Sequence, residues 1–166
     1  MRSIPDPGFA GDDGAADPAL VTALAAYDVT PEASYLPTLA ALQDTRVLVP
    51  VMAVLGEVEH EEQGLAREKT SDMAAVLMRG HDGRTALLAF SGSASLQAWN
   101  PEARPVPVSV RDAAASAVQD EASALLVDVA GPVLFVVQGE DLRSLAEGHR
   151  LVQLDDGRWG WATLED

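Results

Sequence analysis

Residues 73–90 read MAAVLMRGHDGRTALLAF: two apolar runs, Met73 to Arg79 and Arg84 to Phe90, joined by Gly80-His81-Asp82-Gly83. Glycine and aspartate adopt the backbone conformations of tight turns at little cost, so this stretch predicts a β-hairpin. It is the clearest local signal in the chain, and it sets the expectation of a sheet-based fold.

Upstream of the hairpin, Arg46 to Val54 and Leu55 to His60 predict strands, with Gly56 marking a bulge or bend and Pro50 suggesting an edge position. A charged stretch from Glu61 to Thr70 separates them from the hairpin. Further upstream, Asp17-Pro18 pairs a helix N-cap with proline at the first helical position, and Leu20, Val21, Leu24 and Ala25 form an apolar stripe. Thr30-Pro31-Glu32 repeats the start signal, and Tyr35, Leu36, Leu39 and Leu42 continue it, with Pro37 expected to bend or shorten the second helix. Met1 to Ala16 offers prolines, glycines and aspartates with almost nothing to bury, which predicts a disordered acidic tail over 1–16 and a domain over 17–166.

Downstream, Ser91-Gly92-Ser93 precedes Leu96 and Trp99 at helical spacing, and two prolines make Arg104 to Val108 extended. Ser109 and Asp112 resemble a capping box opening an Ala-rich helix to about Ser123, and Leu125 to Val129 predicts a buried strand beyond it, reached by a parallel right-handed crossover. After Gly131-Pro132 come Val133 to Val137, a short helix over Glu140 to Glu147, and a terminal hairpin around Asp155-Asp156-Gly157. The fold class is therefore α/β or α+β: a mixed sheet weighted towards antiparallel pairing, with flanking helices, two short N-terminal helices and a C-terminal hairpin.

A chain of 166 residues suits one well-buried core, and its richness in Ala, Val and Leu with few aromatics predicts aliphatic layers rather than stacked rings. The formal charge of −15, from 26 acidic against 11 basic residues, repels nucleic acid and anionic membrane surfaces. An acidic surface serves solubility, and it also attracts basic proteins or small cations. The chain has no cysteine, so disulfides, thiolate metal ligands and cysteine nucleophiles are excluded. No signal-peptide pattern opens the chain, and the longest apolar stretch, near Leu125 to Val137, is broken by Asp128 and Gly131-Pro132. A cytoplasmic protein is expected.

Several ordered blocks carry a family resemblance. Lys69-Thr70-Ser71-Asp72-Met73-Ala74, then Asp82 to Phe90, Trp99, Arg104-Pro105-Val106-Pro107-Val108 and Asp128-Val129-Ala130-Gly131-Pro132 together resemble the SseB family in its actinobacterial form, over approximately Arg46 to Gly148. The resemblance implies a cytoplasmic α/β domain and a name taken from a serine-sensitivity phenotype, and it implies no particular reaction. Some members lie genetically near a sulfurtransferase, an activity this cysteine-free chain has no persulfide carrier to share.

The polar residues of those blocks are Glu68, Lys69, Ser71, Asp72, Arg84 and Arg104. Lys69, Arg84 and Arg104 suit a carboxylate or phosphate, Asp72 suits an ammonium, and Trp99 could wall the pocket, which together match an amino acid or another small anion. The competing structural reading makes Asp72 and Arg84 a cross-strand ion pair, Trp99 core, and Arg104 a cover for a strand edge.

Other polar groups read more plainly. Ser91-Gly92-Ser93 is placed to hold an anion but lacks a P-loop lysine, which favours helix capping. Glu57, Glu59, His60, Glu61 and Glu62 form a dense acidic cluster whose alternation on a strand separates His60 from the rest, so no metal is expected. His60, His81 and His149 fall in no catalytic motif.

No catalytic residue and no cofactor are expected. The sequence points to a non-enzymatic binding or interaction domain for an unknown protein or small polar ligand, with homo-oligomerisation through sheet edges possible. The alternative is a small-molecule sensor or minor enzyme of amino-acid metabolism.

Overall fold

The computed structural model describes residues 12–53 and 73–163. Its helices are α1 (Pro18–Val29), α2 (Pro31–Gln43), α3 (Ser93–Trp99), α4 (Val110–Gln119) and α5 (Gly139–Ala146). Its strands are β1 (Arg46–Ala53), β2 (Met73–Ala75), β3 (Leu77–Arg79), β4 (Thr85–Ala89), β5 (Arg104–Ser109), β6 (Ala124–Val127), β7 (Phe135–Gln138), β8 (Arg150–Gln153) and β9 (Trp159–Ala162). The fold is α+β, with mixed sheets, two helices at the amino end and a strand hairpin at the carboxyl end. The expected strand over Leu55 to His60 and the acidic cluster around it lie outside the described residues.

The local signals act as their chemistry dictates. The Asp17 carboxylate caps α1 by accepting from the Leu20 N–H at 3.2 Å, and the Ser109 hydroxyl caps α4 by accepting from the Asp112 N–H at 3.0 Å. Pro37 sits inside α2 without ending it. The Gly80–Gly83 turn closes the β3–β4 hairpin, in which Leu77 faces Leu87 and Arg79 faces Thr85.

One sheet has the order β3-β4-β6-β7 and another β2-β1-β5. They meet along two seams. The run from Met73 to Arg79 is interrupted at Val76, whose carbonyl accepts from the Leu88 N–H at 3.2 Å, so β2 serves one sheet and β3 the other. Leu48 and Phe90 also exchange both backbone hydrogen bonds at 2.8 Å.

Two sequence expectations change here. The strand running parallel to β6 is β4, whereas β5 lies antiparallel on β1, so the crossover spans α3, β5 and α4 rather than α4 alone. Pro105 and Pro107, which donate no backbone hydrogen bond, hold β5 at a sheet edge. Pro50 lies in the central strand of its sheet rather than at an edge, opposite Pro105; because Leu48 turns its N–H and C=O to Phe90, alternation makes Pro50 and Pro105 a non-hydrogen-bonded pair, and neither proline removes a donor from the β1–β5 ladder.

Alternation along the strands divides the apolar side chains between two faces. Val47, Val49, Leu87, Ala89, Leu125 and Val127 join the main core with Leu20, Leu24, Leu39, Leu42 and the small residues of α4. Leu48, Leu88 and Phe90 point the other way, into a smaller core with Leu96, Ala103 and Trp99. Strand β4 is thereby covered on both faces, which explains its continuous apolar sequence.

The expectation of a purely aliphatic core is corrected by Phe135, which meets the Tyr27 ring edge-on at 4.9 Å and the Tyr35 ring in a stack at 5.3 Å. Few aromatics are present, but these three concentrate where α1, α2 and β7 converge, giving large contact area per residue.

The terminal hairpin docks through Leu151, which joins the main core, through Trp159 and Trp161 packed against it, and through polar groups. The Gln43 carboxamide donates to the Leu151 carbonyl at 2.7 Å and accepts from the Leu151 N–H at 2.9 Å, as a neighbouring strand would. The Tyr35 hydroxyl donates to Asp141 at 2.8 Å, and the half-buried phenol is pushed above its ordinary pKa range by burial and then by that carboxylate.

Candidate functional site

Strands β4 and β6 run parallel, so their carboxyl ends open on the same side, the place where open α/β sheets offer a crevice. The chain leaves β4 through Phe90, Ser91 and Gly92, and leaves β6 through Asp128. Asp128 adopts φ 62°, a left-handed conformation that a short polar side chain tolerates better than most. Its N–H donates to the Ala89 carbonyl at 3.0 Å, and its buried carboxylate accepts from the Ser91 N–H at 2.8 Å and the Ser91 hydroxyl at 2.7 Å. One carboxylate therefore fixes both loops.

The Ser91 carbonyl accepts from Arg46, at the start of β1, at 2.7 Å. The same guanidinium donates to the Ala15 carbonyl at 2.7 Å and forms a two-pronged ion pair with Asp12, whose carboxyl it holds below the usual carboxylate range, with help from the Gly14 N–H. Residues 12–16 are drawn across the ends of the strands in this way, and the Ser93 N–H donates to the Gly14 carbonyl at 2.7 Å. In the sequence these residues read as part of a tail with nothing to bury, and they are held by hydrogen bonds and charge instead.

Above Ser91 and Asp128 lies a groove of about 740 Å³, walled by Gly14–Ala16, by one side of α1 and by Pro132 and Val133. Val21, Ala25, Asp28 and Val29 of α1 line it, at helical spacing. Leu20 and Leu24 are buried, while Val21 is 50% and Val29 78% exposed. Helix α1 is thus apolar on a second side that no element of the fold covers among the described residues, although a surface helix ordinarily turns its other side polar. The groove is lined by two carboxylates, Asp28 and Asp128, and by no lysine, arginine or histidine.

The residues singled out in the sequence lie elsewhere. Lys69 and Asp72 fall outside the described residues. Arg84 immediately precedes β4 at its amino end and pairs with Asp82 at 2.8 Å, within the turn. Trp99, at the end of α3, packs half-buried on Phe90 with ring centroids 5.7 Å apart, at the opposite end of β4 from Arg84. Arg104 is exposed on edge strand β5, opposite Val51. These three are not brought together.

Arg84 instead lines a second, smaller cleft of about 470 Å³ with Arg143, Glu121, Ser123 and Gln138. Among the described residues no three histidine, aspartate or glutamate side chains converge as metal ligands would, and no helix is long and apolar enough to cross a membrane.

Ser91 was legible as a loop serine, but the expected capping role is replaced. The N-cap of α3 is Gly92, which has no side chain to cap with, and Ser91, one position before it, donates its hydroxyl to the Asp128 carboxylate. Sequence reading missed Arg46 and Asp128 as site residues. The signal for Asp128 was present, as an acid set in the longest apolar stretch at a strand end.

No curated protein and no solved structure matches the chain. A family match does cover residues 20–144, which include most of α1, Arg46, Ser91 and Asp128 and exclude residues 12–16 and the β8–β9 hairpin. The match is to the SseB protein N-terminal domain and spans most of the chain, which therefore belongs to the SseB family.

Proposed function

We propose that this SseB domain is a non-enzymatic binding module that holds a small, largely apolar molecule, neutral or cationic, in the groove at the carboxyl ends of β4 and β6. The observation that carries this reading is the uncovered apolar side of α1 facing the rigid Ser91–Asp128 floor. The groove's volume lies within the range of small-molecule sites, and its lining is mainly apolar with a few fixed polar groups. Because its only charges are carboxylates, an anion entering it meets repulsion, whereas an amine meets Asp28 at the rim. The Ser91 hydroxyl is committed to a carboxylate, and no histidine lines the groove to activate it, which favours holding over reacting.

A second reading, a small anion or amino acid, is favoured by the smaller cleft, where Arg84 and Arg143 offer guanidinium donors and Glu121 an acceptor for an ammonium.

Titration of the purified chain with a neutral apolar dye, and with cationic and anionic dyes of similar size, separates the two. The groove reading predicts saturable binding of the neutral and cationic dyes, at least ~tenfold weaker in Ala94→Trp, which fills the groove from an exposed position, and unchanged in Arg84→Ala. No saturable binding, or equal binding by Ala94→Trp, overturns it. Tighter binding of the anionic dye that Arg84→Ala abolishes supports the second reading.

A further inference from the structure

Three walls of the groove belong to the packed fold, and the fourth does not. Helix α1 is anchored by Leu20 and Leu24, and the Ser91 and Asp128 loops by their buried hydrogen bonds. Residues 12–16 are Asp-Asp-Gly-Ala-Ala, and they bring no large apolar side chain to the core. Three kinds of contact hold this strap: the Arg46 guanidinium on Asp12 and the Ala15 carbonyl, the Ser93 N–H on the Gly14 carbonyl, and a close backbone approach at Gly92. A Cβ at Gly92 would lie 2.8 Å from the Ala16 nitrogen and 2.9 Å from the Gly14 oxygen, so the strap seats only against a residue without a side chain.

The Asp12 side chain is 18% exposed and that of Arg46 10%, so the two charged groups cover one another, while Asp12 itself stays at the surface, within reach of solvent. The strap also ends at the Asp17 cap, before the first turn of α1, so it can lift without unwinding the helix. Segments held by hydrogen bonds with little apolar burial are those that open locally without global unfolding.

We propose that residues 12–16 are a removable wall of the groove, latched by Arg46, so that ligand binding and strap docking reinforce each other. This rests on the groove being the binding site. A ligand that touches Gly14, Ala15 and Ala16 favours the docked strap, and by linkage a docked strap raises affinity by the same factor. Among the described residues that line the latch, Arg46 is the one cation and Asp13, Asp17 and Asp44 are further carboxylates, with Asp44 drawn away by Arg150 at 2.7 Å. Charge added to the strap therefore acts directly on Arg46. The strap lies outside the matched family segment.

The test uses the full chain and two variants that undock the strap by unrelated means, Asp12→Ala, which removes the latch, and Gly92→Ala, which blocks the seat. Amide hydrogen exchange at Ser93 reports docking without any ligand, and titration with the neutral apolar dye reports the groove. Ser93 exchange is expected to accelerate at least ~tenfold in both variants, with dye affinity falling several-fold in each, and saturating dye is expected to slow Ser93 exchange in the unaltered chain. Unchanged exchange in both variants, or faster exchange with undiminished dye affinity, overturns the proposal. Absence of dye binding by the unaltered chain, even with Ser93 protected, overturns the groove reading and this coupling with it.

Discussion

The two ends of β4 handle charge in opposite ways. At the amino end, Asp82 and Arg84 pair across a turn with side chains 56% and 67% exposed, where solvent screens the attraction. At the carboxyl end, Asp128 is buried against Ser91, and Arg46 gathers Ser91, Ala15 and Asp12 into one network. The first arrangement decorates a hairpin, and the second locates two loops, a strand and the N-terminal strap relative to one another. Conspicuous charge in a sequence therefore marks the end that matters less to the fold.

Asp128→Ala gives the strongest test of that contrast. It strips the acceptor from two buried Ser91 donors and leaves alanine in a left-handed conformation, so a loss of about 3 kcal/mol is expected in chemical denaturation. A loss below about 1 kcal/mol would erase the distinction between the ends.

Arg46→Met comes next, at about 1–2 kcal/mol, because the carbonyls it serves lie partly at the surface and recover water. Its signature is faster Ser93 amide exchange with the β3–β4 hairpin amides unaffected.

Acid sharpens the comparison further. The folded pKa of Asp12 lies below its ordinary 3.8, so its contribution to strap docking is whole above that value and fades as pH falls through the lowered one. Ser93 exchange, corrected for its intrinsic pH dependence, is expected to rise over that acid range and to lose this rise in Asp12→Ala. Arg84→Ala has the smallest expected effect, an unchanged denaturation midpoint, and a marked shift would show that the exposed pair is structural after all.

What the sequence revealed followed the reach of each interaction. The hairpin, the Asp17 and Ser109 caps and the terminal hairpin depend on residues a few positions apart, and all were legible. The parallel pairing of β4 with β6 joins residues nearly forty positions apart and leaves no local mark, so the crossover was assigned to the wrong partner strand. The separation of Arg84, Trp99 and Arg104 has the same origin. Asp128 finds Ser91 and Arg46 finds Asp12 only after the chain has folded, whereas Arg84 and Trp99 stood out as individual residues and lie at opposite ends of one strand.

The Gln43 carboxamide, with its donor and acceptor both engaged by Leu151, makes the join to the terminal hairpin behave as a socket. Sheets normally accept a new strand along a continuous ladder, which ties the fate of each addition to every neighbour. Here one side chain on α2 offers the hairpin backbone a matched plug point beside the apolar contacts of Leu151, Trp159 and Trp161, and the hairpin lies beyond the matched family segment. A hairpin of different sequence can thus be seated at that point provided one residue presents its N–H and C=O together and its side chains refill the buried place of Leu151.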